Sequence, residues 1–240
     1  MKMWGGKAAL VLVLAAILAA PSLAGATWVK DVAVGMRFKS FRLTGDKSFY
    51  GTITADTVDE QRQWYPTNAN LLVTFGDYGG LMFAYDFFGA VMENDGHLYW
   101  HTFALGPVLR YHFKKLHIAP YLVAGITWNW VNFDENNWWR YGFASVAEYD
   151  RYRSEHPDDW RTATHRRRDM KTDDSFGYTY GLGMDVFLTK HLALNLDLRW
   201  FKADTHVRYR NWVHDVAEID RSFDYSLDCM VYAVGLRWYF

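Results

Sequence analysis

Eight charged residues sit in surroundings that are otherwise apolar or aromatic in this 240-residue chain. Arg37, Lys39, Arg110, Arg199 and Arg237 are the cations, and Asp86, Asp185 and Asp197 the anions. Charges in such settings must pair with one another or meet water. Two chemistries follow. One is an ion-pair network that plugs an interior; the other is a polar constriction that selects what passes. Covalent catalysis has less to work with. His97, His101, His206 and His214 accompany Ser222 and Ser226, but no His-x-Ser pair occurs, and a nucleophile needs a base within hydrogen-bond reach. Glu93, Asp95, His97 and His101 carry metal-binding groups with no second cluster to complete a site. No enzyme activity, metal or cofactor is expected. Cys229 is alone, which excludes an intrachain disulfide.

The elements that position these charges show a period of two. In Met230–Phe240 every second residue (Met230, Tyr232, Val234, Leu236, Trp238, Phe240) is apolar or aromatic, while Arg237 falls on the other face. Seven further segments alternate in the same way: 31–41, 70–76, 81–88, 102–113, 118–131, 177–188 and 192–201. Long links (42–69, 89–101, 132–176, 202–227) alternate with short ones. The charges fall opposite the continuous apolar face, so the apolar side points outward into lipid and the polar side inward. The fold class is therefore all-β: an eight-stranded antiparallel up-and-down transmembrane β-barrel with long external loops and short turns on the other side. Closure removes edge strands, whose unpaired amides lipid cannot satisfy.

The amino terminus agrees with export. Lys2 and Lys7 precede the apolar run Ala8–Ala20, and Ala24-Gly25-Ala26 fits a small-residue cleavage site. Residues 1–26 are expected to be a cleaved signal peptide, and residues 27–240 one barrel domain. Loss of the leader leaves 24 basic against 27 acidic residues, which argues against a nucleic-acid partner. No segment of the mature chain is long and apolar enough for a transmembrane helix. Aromatic residues make up 18% of the chain, a share that suits interfacial girdles.

An eight-stranded barrel is narrow enough for side chains to fill. Inward glycines (Gly35, Gly106, Gly125, Gly181, Gly183, Gly235) leave room for large neighbours. Inward Leu72, Met82, Phe88, Val108 and Val123 suit an apolar pocket near one end. Outside the barrel, the 132–176 link holds Trp138, Trp139, Trp160 and the run Arg166-Arg167-Arg168. Tryptophans there suit a contact surface. The arginines suit phosphate groups of lipopolysaccharide, or a solvated loop balanced by Asp169, Asp173 and Asp174. Ala144–His156 has the spacing of a short helix.

Three stretches carry a family resemblance: Gly106-Pro107-Val108-Leu109-Arg110-Tyr111-His112-Phe113 followed by Ala119–Gly125; Tyr180–Asp185 followed by Leu194–Trp200; and Val234–Phe240. Together they resemble OmpW-like small outer-membrane barrels, and their glycine-aromatic alternation is shared by OmpA-like barrels. The resemblance implies a Gram-negative outer-membrane location. It also implies contact with membrane lipid and lipopolysaccharide, and delivery to the outer-membrane assembly machinery through the terminal Phe240. In function it implies a small passive channel or carrier for small, partly apolar solutes. A closed barrel whose loops bind a surface partner is the alternative, and a lipid-A-modifying enzyme is a third.

Overall fold

The computed structural model describes residues 29–45, 61–92, 96–159, 161, 164–214 and 216–240. The expected signal peptide, Glu93, Asp95 and Trp160 lie outside these residues. The strands are β1 (Asp31–Leu43), β2 (Gln61–Phe75), β3 (Gly79–Met92), β4 (Gly96–Arg110), β5 (Ile118–Glu135), β6 (Arg166–Thr172), β7 (Ser175–Phe187), β8 (Leu192–Val213), β9 (Val216–Ser226) and β10 (Cys229–Tyr239). Two helices, α1 (Asn137–Arg140) and α2 (Val146–Glu155), lie between β5 and β6. Neighbouring strands are antiparallel and run β10-β1-β2-β3-β4-β5-β7-β8, with β8 pairing back onto β10. That is a closed ring of eight. The short strands β6 and β9 continue the lines of β7 and β10 and flank the upper half of β8.

The barrel turns as the sequence predicts at its lower end, where both ends of the ring also lie. Gly76 takes a positive φ of 63° in the turn from β2 to β3, a conformation that costs glycine little. Beside it, Lys30 and Asp77 form an ion pair. α2 begins on Ser145, whose hydroxyl accepts from the Glu148 N–H, while the Glu148 carboxylate accepts from the Ala144 N–H. This reciprocal capping starts the helix where the spacing places it.

The upper end differs from the sequence expectation. β3, β4, β5 and β8 run well past the segments inferred from apolar alternation, and much of the supposed loop 202–227 is a β8–β9 hairpin. A strand of 22 residues extends about 70 Å, against an apolar band of about 25 Å. The alternation does not stop at the membrane; it changes sense. Below Trp200, β8 turns Leu194, Leu196 and Leu198 outward and buries Asn195, Asp197 and Arg199. Above it, Asp204, His206 and Arg208 are exposed, while Ala203, Val207 and Tyr209 are buried. The exterior solvent has changed from lipid to water, so the favoured residue types exchange faces. A search for apolar-outward strands ends at that boundary.

The lumen is layered. On β1 the inward residues run from Ala33 through Arg37 and Lys39 to Phe41; on β3, from Met82 through Asp86 to Phe88; on β8, from Ala193 through Asp197 and Arg199 to Phe201. A lower apolar cluster (Ala33, Leu72, Met82, Val108, Tyr121, Val123, Ala193, Tyr239) and an upper one enclose a polar girdle. Glycine makes this packing possible at Gly183. A Cβ there would lie 2.3 Å from the Tyr121 ring and 2.6 Å from the Leu196 carbonyl oxygen. Gly183→Ala is therefore expected to displace Tyr121 and destabilise the barrel by about 1–3 kcal/mol. A lowered urea midpoint for unfolding from lipid vesicles would register the loss.

Candidate functional site

The girdle is built from strands far apart in sequence, each contributing every second residue. Asp197 on β8 is its first node. It pairs with Arg37 of β1 at 2.6 Å and with the Arg199 Nε at 2.7 Å, and it accepts the Tyr121 hydroxyl at 2.5 Å. Asp185 on β7 is the second. It pairs with Arg237 at 2.7 Å and accepts from the Asn195 amide at 2.8 Å and from the Tyr239 hydroxyl. The Asn195 amide also donates to the Tyr121 oxygen at 3.0 Å, joining the two nodes. Lys39 and Asp86 form a third pair at 3.1 Å, and the Lys39 ammonium lies 3.5 Å from the centre of the Phe88 ring. Arg37 donates to Asn68 at 2.7 Å, and Arg237 to Asn70 at 3.0 Å.

All eight charged residues singled out in the sequence thus point inward, and seven of them form close contacts within the girdle. Arg110 stands apart. Its nearest carboxylates, Asp31 and Asp185, are both 3.9 Å away, and its guanidinium lies over the Tyr239 ring at 4.9 Å. It occupies the lower mouth, beside a shallow depression lined by Lys30, Asp31, Asp77, Tyr78 and His112. Asn68, Asn70, Asn195 and Tyr239 complete the network. None of the four was singled out in the sequence as a site residue, and Asn68 and Asn70 are the two that a signal could have found. Their signal was present in the alternation Asn68, Asn70, Leu72, Thr74, but apolar runs drew the strand start to Asn70 itself.

The candidate apolar residues divide. Leu72, Met82, Val108 and Val123 pack together in the lower cluster. Phe88 belongs to the upper one, where it stacks on Trp100 at 4.9 Å and meets Phe41 at 5.1 Å and Phe201 at 5.4 Å, both edge-on. The candidate loop contacts divide as well. Trp139 of α1 is 2% exposed and packs into the upper cluster with Tyr209, so it serves the lumen and not an outer surface. Trp138 packs half-buried beside that cluster. Arg168 lies over the Trp139 ring and donates to the Trp139 carbonyl. Arg166 is exposed, and Arg167 reaches over Trp212. Because β6 alternates, the three arginines do not share a face.

The histidines considered for catalysis have other neighbours. His101 meets the Tyr85 hydroxyl, His206 pairs with Asp224, and His214 stacks on His165. Among the described residues no group of three or more His, Cys, Asp or Glu side chains is placed to hold a metal.

An apolar-outward ring around a polar girdle is membrane-barrel architecture, and residues 10–240 match the family model described as the outer membrane protein beta-barrel domain. The chain belongs to that family. Its place is accordingly the Gram-negative outer membrane. Among solved structures of outer-membrane barrels, OprG from Pseudomonas aeruginosa is similar at a TM-score of 0.61 with 16% identity, over 88% of this chain and 95% of that one. AlkL follows at 0.51 with 14% identity, over 88% and 90%. The outer-membrane protein W of E. coli gives 0.46 with 15% identity, over 90% and 100%. At these identities the likeness to OprG and AlkL is one of fold. No curated protein matches the sequence.

Within this family fold, the girdle makes a direct prediction. Asp197→Asn removes the carboxylate shared by Arg37 and Arg199 and leaves two buried cations without their partner. The expected cost is about 3–5 kcal/mol, whereas Tyr121→Phe, which loses one hydroxyl, costs about 1–2 kcal/mol. Equilibrium unfolding of the two variants in vesicles would give the order.

Proposed function

We propose that this barrel is a passive carrier for small, partly apolar solutes. In this reading the route runs through the upper lumen and then sideways into the membrane. The observation that carries it is the change of lumen chemistry immediately above the girdle. There Phe41, Phe88, Trp100, Phe201, Val131 and Val231 form one apolar cluster. A solute parting those rings exchanges ring–ring contacts for ring–solute contacts and desolvates no charge. Passage along the axis would instead have to break ion pairs of 2.6–3.1 Å, at several kcal/mol each.

The sideways step has support in the strand pairing. The β2–β3 ladder ends at Asn68–Asp86, although β3 continues to Met92 along β4. The β1–β2 ladder slips between Arg37 and Lys39, where its partner moves from Asn68 to Gln63. This discontinuity lies at the height of Lys39 and Phe88. The charged girdle is the floor of the route, and Lys39 forms part of its wall.

A closed barrel with a binding surface outside is the second reading. Trp139, buried over the upper cluster, supports the closed lumen of that reading, though it offers no outer contact itself. On either reading Phe240, exposed at the end of β10 beside Trp238, is proposed as the residue offered to the outer-membrane assembly machinery.

Liposomes containing lipopolysaccharide separate the two. With the folded protein present, a small apolar solute should enter faster than a size-matched charged one. Phe88→Asp should reduce apolar entry roughly tenfold, since a carboxylate then stands in the apolar route, while heat-modifiable gel migration checks that the variant is folded. Entry of neither solute would sink the carrier reading in favour of the closed barrel, and equal entry of both would mean an open aqueous pore.

A further inference from the structure

On the outer face of the extracellular sheet formed by β6, β8 and β9, cross-strand register produces a row of charge that the sequence does not display. Lys171 stands opposite Arg208, and Arg208 opposite Ser222. All three are exposed. Like charges directly opposite one another on a sheet are destabilising. The rows on either side are compensated. Above, Arg210 lies between Asp169 and Asp220 and pairs with Asp220 at 3.1 Å. Below, His206 meets Asp224 at 2.9 Å, and its carbonyl accepts from the Asp173 N–H. The Lys171–Arg208–Ser222 row alone holds two cations and no carboxylate, with a hydroxyl donor at its end. Arg167 adds a further cation higher on the same face of β6.

The height of the row identifies what it meets. Trp200 is the last outward aromatic on β8 before its charged stretch begins at Asp204; Tyr180 stands opposite it on β7, and Tyr178 and the exposed Phe176 carry the aromatic face up to the level of Asp204. Arg208 lies four residues beyond Asp204, or about 10 Å further along the barrel axis than the top of this aromatic face at ~3.3 Å per residue and ~40° of tilt. The surrounding leaflet is lipopolysaccharide. Its lipid-A headgroups lie close to the aromatic girdle, whereas its core sugars extend to the height of the row.

We infer that Lys171, Arg208 and Ser222 form a binding site for a phosphate group on the core oligosaccharide of the lipopolysaccharide around the barrel. An oxyanion between the two cations removes their mutual repulsion. Arg208 can offer a two-pronged contact, Lys171 a point charge and Ser222 a hydroxyl donor, a set of groups that suits phosphate. The site rests on the outer-membrane location and not on the carrier reading, so the two can fail separately.

The test titrates the detergent-folded full chain with phosphorylated core oligosaccharide released from lipopolysaccharide, and with the same material after enzymatic dephosphorylation. The wild-type chain should bind the phosphorylated form, more weakly as salt rises. The double variant Lys171→Gln with Arg208→Gln should bind roughly tenfold more weakly. Its exposed positions leave the fold intact, which heat-modifiable migration checks, and Arg166→Gln should bind as the wild type does. The site is overturned if the wild type binds neither form, binds both equally, or loses nothing in the double variant. Unchanged solute entry into liposomes by the same double variant would confirm that the site is separate from transport.

Discussion

A backbone that enters lipid must find a protein partner for every amide, and a sheet meets that demand only by closing on itself. Most of the structure depends on this constraint. Closure with eight strands leaves a lumen too narrow for bulk water and wide enough for side chains. Those side chains must then satisfy one another. The result is a girdle in which each of the three aspartates serves a cation, and in which Asn195 and Tyr121 join two carboxylates that cannot approach each other directly. Gly183 belongs to the same logic, since the Tyr121 ring occupies the space that a side chain there would need.

The second organising fact is that one strand crosses two solvents. The period of two continues along β8 as far as Tyr209, but the face that must be apolar changes where lipid gives way to water. Below the boundary the protein is polar inside and greasy outside. Above it the protein resembles a soluble barrel, with an aromatic interior and a charged exterior. The girdle and the upper cluster meet near this exchange, and the proposed solute route uses the contrast between them.

What the sequence disclosed follows from the same physics. Apolar alternation marked the lipid-facing strands because lipid imposes it, and the charges that interrupt that alternation are the buried ones of the inward face. The helical spacing over Ala144–His156 marked α2, whose Ser145 cap only the structure shows. The strand extensions escaped because their outward residues, such as Asp204, His206 and Arg208, resemble a loop when only apolar-outward patterns count. The run Arg166-Arg167-Arg168 reads as one basic patch in sequence, yet β6 sends Arg168 toward Trp139 and Arg167 toward Trp212. Conversely, Lys171 and Arg208 lie 37 positions apart and become neighbours through register alone. Pairing partners within the girdle were hidden for the same reason: alternation places charges on the inward face, and only the ladder shows which of them meet.

The pairing of β1 with β10 also has a consequence in time. Ala33 lies opposite Tyr239, so the ring cannot close until the final strand has arrived. Arg37 waits for β8, and Asp185 on β7 waits for Arg237 on β10. Contacts of such sequence separation form late and make folding slow. Lys39 of β1 can meet Asp86 once β3 is present, but Arg37 stays without its carboxylate until β8 arrives, and the lumen is sealed only when β10 pairs with β1.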